Sequence, residues 1–299
     1  MQFPAVSVVL PVPRDGVWKK SVIFTKMKVL GRPVNSPEAM IATIREYGVV
    51  PLFRSSIPGW SIEDLTAPGC WFDTEGVLGP WDWKVDAVQQ GDIAYGRFID
   101  GKAAFATVEW YRHLMNWRRS LPQYRMALGE KYKARTKSEL LNKSFAPAIL
   151  NAVKAEGEIR AEGLRAVCSA SVTPSLLKSL GPNYKPLLVP SVKKNIYDGV
   201  VRYLQMGTWL VVGDIERVYR GPNLTYSGWQ KTSLTTPDEL FGSGQTDAGA
   251  PAWARMFEKE TGSGDDSIGC TPEESRQILI EHIQKMAPEA NIDKLNKII

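Results

Sequence analysis

The stretch SVKKNIYDGVVRYLQMG, residues 191–207, runs directly into TWLVVGDIERVY, 208–219, and, after the turn residues RGPNLT, into YSGWQKTSL, 226–234. In the first segment Val192, Ile196, Val200 and Leu204, with Tyr203 beside it, recur at helical spacing, so this face is expected to turn toward a core. The next two segments are short, contain many β-branched and aromatic residues, and are separated by Gly-Pro-Asn; together they predict a hairpin. What a helix feeding straight into a hairpin means depends on what comes before it.

Upstream, TKSELLNKSFAPAILNAVKAEG, 136–157, has a long apolar period that reads as helix, interrupted at Pro147 and closed by Gly157. EIRAEGLRAVC, 158–168, reads as a strand stub and a second helix. TPSLLKSL, 173–180, reads as a helical turn with Thr173 as its cap and Pro174 in first position. Helix, short strand, helix, helix, hairpin is the order of a winged helix, with 191–207 in the recognition position and the hairpin as wing. We therefore expect an α+β protein with a winged-helix domain over 136–241.

The residues before it predict a mixed α+β domain over 1–135. Ser36-Pro37-Glu38 opens a helix that Gly48 stops. A tract rich in glycine, proline and tryptophan follows and predicts irregular structure with short strands. In IAYGRFIDGKAAFATV, 93–108, Asp100-Gly101 sits between two apolar runs, the pairing a type I′ hairpin turn prefers. The segment 109–136, broken at Pro122, reads as two helices. After Phe241, glycine-rich sequence over 242–268 suggests a mobile insertion around a short helix in AWARMFEKE, and 269–299 reads as a helical tail beginning with the capped stretch TPEESRQILIEHIQKM.

Composition narrows the function. No apolar run is long enough to span a bilayer, and no basic stretch precedes the first apolar run, so a cytoplasmic protein without membrane contact is expected. Three widely spaced cysteines, Cys70, Cys168 and Cys270, suggest neither a disulfide framework nor a zinc site. With only His113 and His282, few residues are available for a histidine metal centre, and no metal or other cofactor is expected. The formal charge is +5, yet the segment 110–137 alone holds eight cations against one acid, Glu130. Such a concentration suits duplex DNA, where neutralised phosphates release counterions, although a solvated helix surface accounts for it too.

Candidate contacts to nucleic acid are Arg118 and Arg119 in this tract, Lys193, Lys194, Arg202 and Gln205 on the outer face of the 191–207 helix, and Arg217 and Arg220 on the wing. Asp198 on that same helix opposes phosphate docking. The tryptophan-rich tract offers a candidate pocket: Trp81 and Trp83 flank Asp82, while Trp110 and Tyr111 follow Glu109. Aromatic faces hold a cationic alkylated base, and Asp82 or Glu109 has the chemistry to activate water at a glycosidic carbon. The plainer alternative is that these rings are core. No GxGxxG, GxxxxGK[ST], GxSxG or HExxH motif occurs.

SVKKNIYDGVVRYLQMGTWLVVGDIE and YSGWQKTSLTTPDELFG resemble the winged-helix part of proteins related to the AlkZ (YcaQ-type) DNA glycosylases. GEIRAEGLR resembles the short strand and second helix of that fold. PLFRSSIPGWSIEDL, LGPWDWK, YGRFIDGKAAFATVEWY and NWRRS resemble the N-terminal region of an uncharacterised branch of the same family. The resemblance implies metal-free excision of alkylated bases through a Gln-x-Gln or Gln-x-Asp motif in the N-terminal half. Before the basic helices the glutamines are Gln2, Gln89 and Gln90, and Gln89-Gln90-Gly91-Asp92 reproduces neither spacing. The alternative function is a non-enzymatic winged-helix scaffold or regulator that binds protein or a small ligand.

Overall fold

Ser36 is extended, and its side chain accepts the amide of Ala39, so helix α1 (Pro37–Tyr47) begins at the serine–proline pair and ends at Gly48, φ 66°. The structure is a computed structural model that describes residues 33–67, 70–71, 78–242 and 270–299. Among these residues the chain is mixed α+β, with two three-stranded antiparallel sheets and helices at its C-terminal end.

The first sheet has the order β1-β3-β2, built from β1 (Val49–Pro51), β2 (Ile93–Ile99) and β3 (Lys102–Thr107). Asp100 and Gly101 join β2 to β3 with φ of 51° and 64°, the two positive values that a type I′ turn requires. The glycine-rich connection holds a short helix, α2 (Ile62–Leu65), and then α3 (Pro80–Val88). Fully buried Trp60 donates its indole N–H to the Val49 carbonyl at 2.8 Å, tying the connection to the sheet.

Helix α4 (Val108–Ser120) leaves β3 without a loop, and Pro122 breaks it. The second basic helix expected from sequence is only one turn, α5 (Pro122–Arg125), followed by a 3-10 turn, Met126–Leu128. Residues 129–136 hold no helix. A polar, cationic stretch has little apolar surface to bury, and most helical stability comes from such burial.

Helix α6 (Lys137–Glu156) opens with a capping box between Thr136 and Glu139 and continues through Pro147. The expected interruption is therefore absent. Pro147 forfeits one backbone hydrogen bond, but Phe145, Ala146, Ile149 and Leu150 around it are all buried, and packing outweighs the local cost. After α6 come β4 (Glu158–Arg160), α7 (Ala161–Ala170), α8 (Pro174–Leu180), α9 (Lys185–Leu188), α10 (Lys194–Met206), β5 (Val211–Arg220), β6 (Thr225–Thr235) and α11 (Pro237–Phe241). The second sheet has the order β4-β6-β5. Helices α12 (Pro272–Met286) and α13 (Ile292–Ile298) follow, and α12 packs on α4. The sequence expectations for 243–268 lie outside the described residues.

Three side chains of α4 join these parts. Arg118 is 2% exposed, and its guanidinium donates to the carbonyls of Phe98 on β2, Met206 at the end of α10 and Ile298 on α13. Arg119 donates to Thr208 O at 2.9 Å and lies 4.5 Å from the centre of the Trp209 ring. Trp117 donates to the Ile299 carbonyl at 3.0 Å.

Candidate functional site

Pro80 in the first turn fixes the start of α3, and Asp82 follows in the same turn. The preceding Gly79 is required sterically, because a Cβ there would fall 2.4 Å from the Trp71 carbonyl oxygen. Asp82 is 5% exposed and faces the β5–β6 hairpin. Its Oδ1 accepts from the Tyr226 hydroxyl and, at 3.2 Å, from Gln230 Nε2, which also lies 3.0 Å from the Tyr226 oxygen. Arg217, opposite Gln230 in the hairpin register, donates to the Asp82 carbonyl at 3.0 Å and to the Asp86 carboxylate at 2.8 Å. Strand alternation explains why these hairpin residues act together: Tyr226 and Gln230, four apart on β6, share one face.

Burial and the hydrogen bond to Asp82 push the Tyr226 hydroxyl up to about 12, so Tyr226 stays a donor at neutral pH. Lys84, further along the first turns of α3, is buried; its Nζ donates to the Trp81 carbonyl and sits 3.4 Å from the centre of the Trp81 ring. Burial brings this amine down to about 7 against the opposing pull of Asp82. Two buried polar atoms in the cluster, Gln230 Oε1 and Arg217 Nε, have no hydrogen-bond partner among the described residues.

The aromatic candidates fall into different groups. Trp81 is 36% exposed beside Asp82, with Phe53 6.1 Å away, while Trp83 is buried. Tyr111 is fully buried against Phe98. Trp110 stacks on His282 of α12 at 3.5 Å, and Glu109 is exposed in the first turn of α4 beside this pair. Asp82 with Trp81 is therefore one group, and Glu109 with Trp110 belongs to another.

The cations also divide. Arg118 and Arg119 serve the internal contacts already described, and Arg112 is half-buried. This accounts for part of the charge surplus in 110–137. Arg125 is paired with Glu130, and Lys137 donates to Ser179 O at 2.7 Å. On α10 the buried stripe is Tyr197, Val200, Tyr203 and Leu204, with Ile196 only partly covered. Gln205 is 3% exposed and accepts from the Arg97 amide of β2, so it faces the first sheet instead of solvent. Arg202 is exposed but lies along the β2–β3 turn, 3.1 Å from where a Cβ on Gly101 would stand. Lys193 and Lys194 at the start of α10 are exposed, Arg217 is committed to α3, and Arg220 is exposed near the hairpin tip. Tyr219, Leu224 and Trp229 are large apolar side chains exposed on the same hairpin.

The sequence reading missed Tyr226, Gln230, Asp86 and Lys84. The first two carried a usable signal, since Arg217, Tyr226 and Gln230 place polar groups on one hairpin face where a core contact would be apolar. Nothing in the linear sequence identifies α3 as their partner.

The model of a family described as AlkZ related matches residues 34–299 of the chain. No curated protein and no solved structure matches it.

Proposed function

This chain belongs to the AlkZ-related family, and we propose that it is a DNA-binding protein of the repair type that acts at a base held beside Asp82. The observation that carries the reading is the network of Asp82, Tyr226 and Gln230 next to the exposed ring of Trp81. A glutamine–carboxylate pair, which the family motif supplies from one short segment, comes here from α3 and β6. Asp82 is the general base for water attack at the glycosidic carbon; Tyr226 and Gln230 orient it, and the unpaired Gln230 Oε1 is an acceptor for that water. Trp81 offers its face to an extruded base.

For docking, α6, β4, α7, α10 and the β5–β6 hairpin are read as a winged helix spanning 136–241, as the element order and sheet order β4-β6-β5 support. Lys193 and Lys194 at the exposed start of α10, with Arg220 on the hairpin, meet phosphates. Because α10 ends against the first sheet, only its first turns are available to a groove. The scaffold reading draws its support from the apolar hairpin surface at Leu224 and Trp229.

Base release from a duplex carrying 7-methylguanine tests the enzymatic part. Asp82→Asn is expected to lower release by about a hundredfold or more, while Glu109→Gln stays near wild type. No release by the wild-type chain removes the glycosylase reading for that lesion. Duplex affinity that does not fall with salt removes the DNA reading and leaves the scaffold.

A further inference from the structure

Lys84 has no part in base excision as described above. It is 3% exposed, its Nζ is held by the Trp81 carbonyl, and the Trp81 ring covers it at 3.4 Å. That ring is itself 36% exposed, and the Trp81 carbonyl that holds the amine also lies 3.4 Å from Gln230 Nε2, which links Lys84 to the Asp82 cluster.

We propose that the Trp81 ring swings aside and Lys84 captures an aldehyde, the ring-opened deoxyribose of an abasic site, as a covalent imine. The proposal rests on the reading of this cluster as a DNA site but not on base excision. A lysine acts as a nucleophile only when neutral, and a buried amine near other cations loses its proton more readily. Burial, reinforced by Arg217 and opposed by Asp82, brings Lys84 to about 7, so a substantial fraction is neutral near physiological pH. In the reaction the Nζ lone pair attacks C1′ of the aldehyde to form a C–N bond. The aldehyde oxygen gains two protons, one from the amine and one from solvent, and its bond to C1′ breaks as water leaves. The product is a protonated C=N bond. Abasic deoxyribose is what base excision leaves behind, so the same cluster would retain the reactive product.

The test supplies the abasic site ready-made. Full-length protein is incubated near neutral pH with a duplex containing one abasic site and with borohydride, which adds hydride to the imine carbon and fixes the bond. The expected result is a protein–DNA adduct that proteolysis and mass spectrometry assign to Lys84. A duplex carrying tetrahydrofuran, which cannot open to an aldehyde, gives none. Lys84→Arg keeps the charge without the nucleophile and should lower the yield about tenfold or more. No adduct with wild-type protein, or an adduct mapped to another residue, overturns the proposal, and neither outcome depends on how well a variant folds. An adduct at Lys84 without 7-methylguanine release leaves imine capture standing and removes excision; release without an adduct does the reverse.

Discussion

Replacing Arg118 by methionine keeps most of the aliphatic volume and removes every donor. The carbonyls of Phe98, Met206 and Ile298 then lose their shared partner inside a site where Arg118 is 2% exposed. A buried acceptor left unsatisfied costs about 1–3 kcal/mol, so three approach roughly 3–9 kcal/mol. Relief from burying a guanidinium, on the order of several kcal/mol, opposes this. The two together leave a net loss of about 3 kcal/mol, more than a hundredfold in the folded-to-unfolded ratio. Urea denaturation followed by circular dichroism measures it, and hydrogen exchange over Ile292–Ile298 shows whether α13 comes loose first. Arg118→Lys, with one charge and a shorter reach, should fall between wild type and the methionine variant. A methionine variant within about 0.5 kcal/mol of wild type, or unchanged protection of α13, refutes the assignment of Arg118 as the tie between β2, α10 and α13.

Lys193→Ala with Lys194→Ala should weaken duplex binding and reduce the dependence of log affinity on log salt by about 0.9 for each phosphate no longer neutralised; an unchanged slope in a filter-binding titration excludes these two lysines. Burial holds both His113 and His282 below the usual 6.5, with Glu109 opposing the shift on both, Arg112 adding to it on His113 and Lys285 on His282. The unfolded chain therefore takes up protons first as pH falls: the stability from these neutral imidazoles is complete above about pH 6.5 and is lost as pH descends through their folded values. The urea midpoint should drop on acidification, less so in His282→Phe, and an equal drop in that variant assigns the effect elsewhere. Gly48→Ala places a Cβ 2.2 Å from Trp110 Cδ1 at φ 66° and should destabilise by about 2 kcal/mol in the same denaturation assay; an unshifted midpoint shows that the Trp110–His282 stack yields without cost.

Local chemistry was legible in the sequence wherever a few residues determine it. Ser36-Pro37, Thr173-Pro174 and Asp100-Gly101 marked two helix starts and a turn because caps and positive φ values are decided within four residues. Pro147 misled, since the packing that carries α6 through it comes from other elements. The cations of 110–137 misled for a related reason: net charge says nothing about depth, and Arg118 lies inside the protein. Asp82 and Glu109 stood as alternative candidates, each beside aromatic residues in sequence, and the fold puts them in different places: Asp82 against Tyr226 and Gln230, Glu109 beside the Trp110–His282 stack. Tyr226 and Gln230 escaped notice because their partner is more than a hundred positions away.

That separation has a consequence for inheritance. Asp82 and Gln230 are 148 residues apart, yet they share one hydrogen bond, and Arg217 repeats the link from β5 to Asp86. A chimera that takes residues 136–241 from a relative would bring a hairpin shaped for another helix α3, and its carboxylate would lose both guides at once. The unit that can be exchanged or lost without penalty is thus neither sheet alone, and substitutions on the hairpin face and on α3 are expected to travel together between lineages.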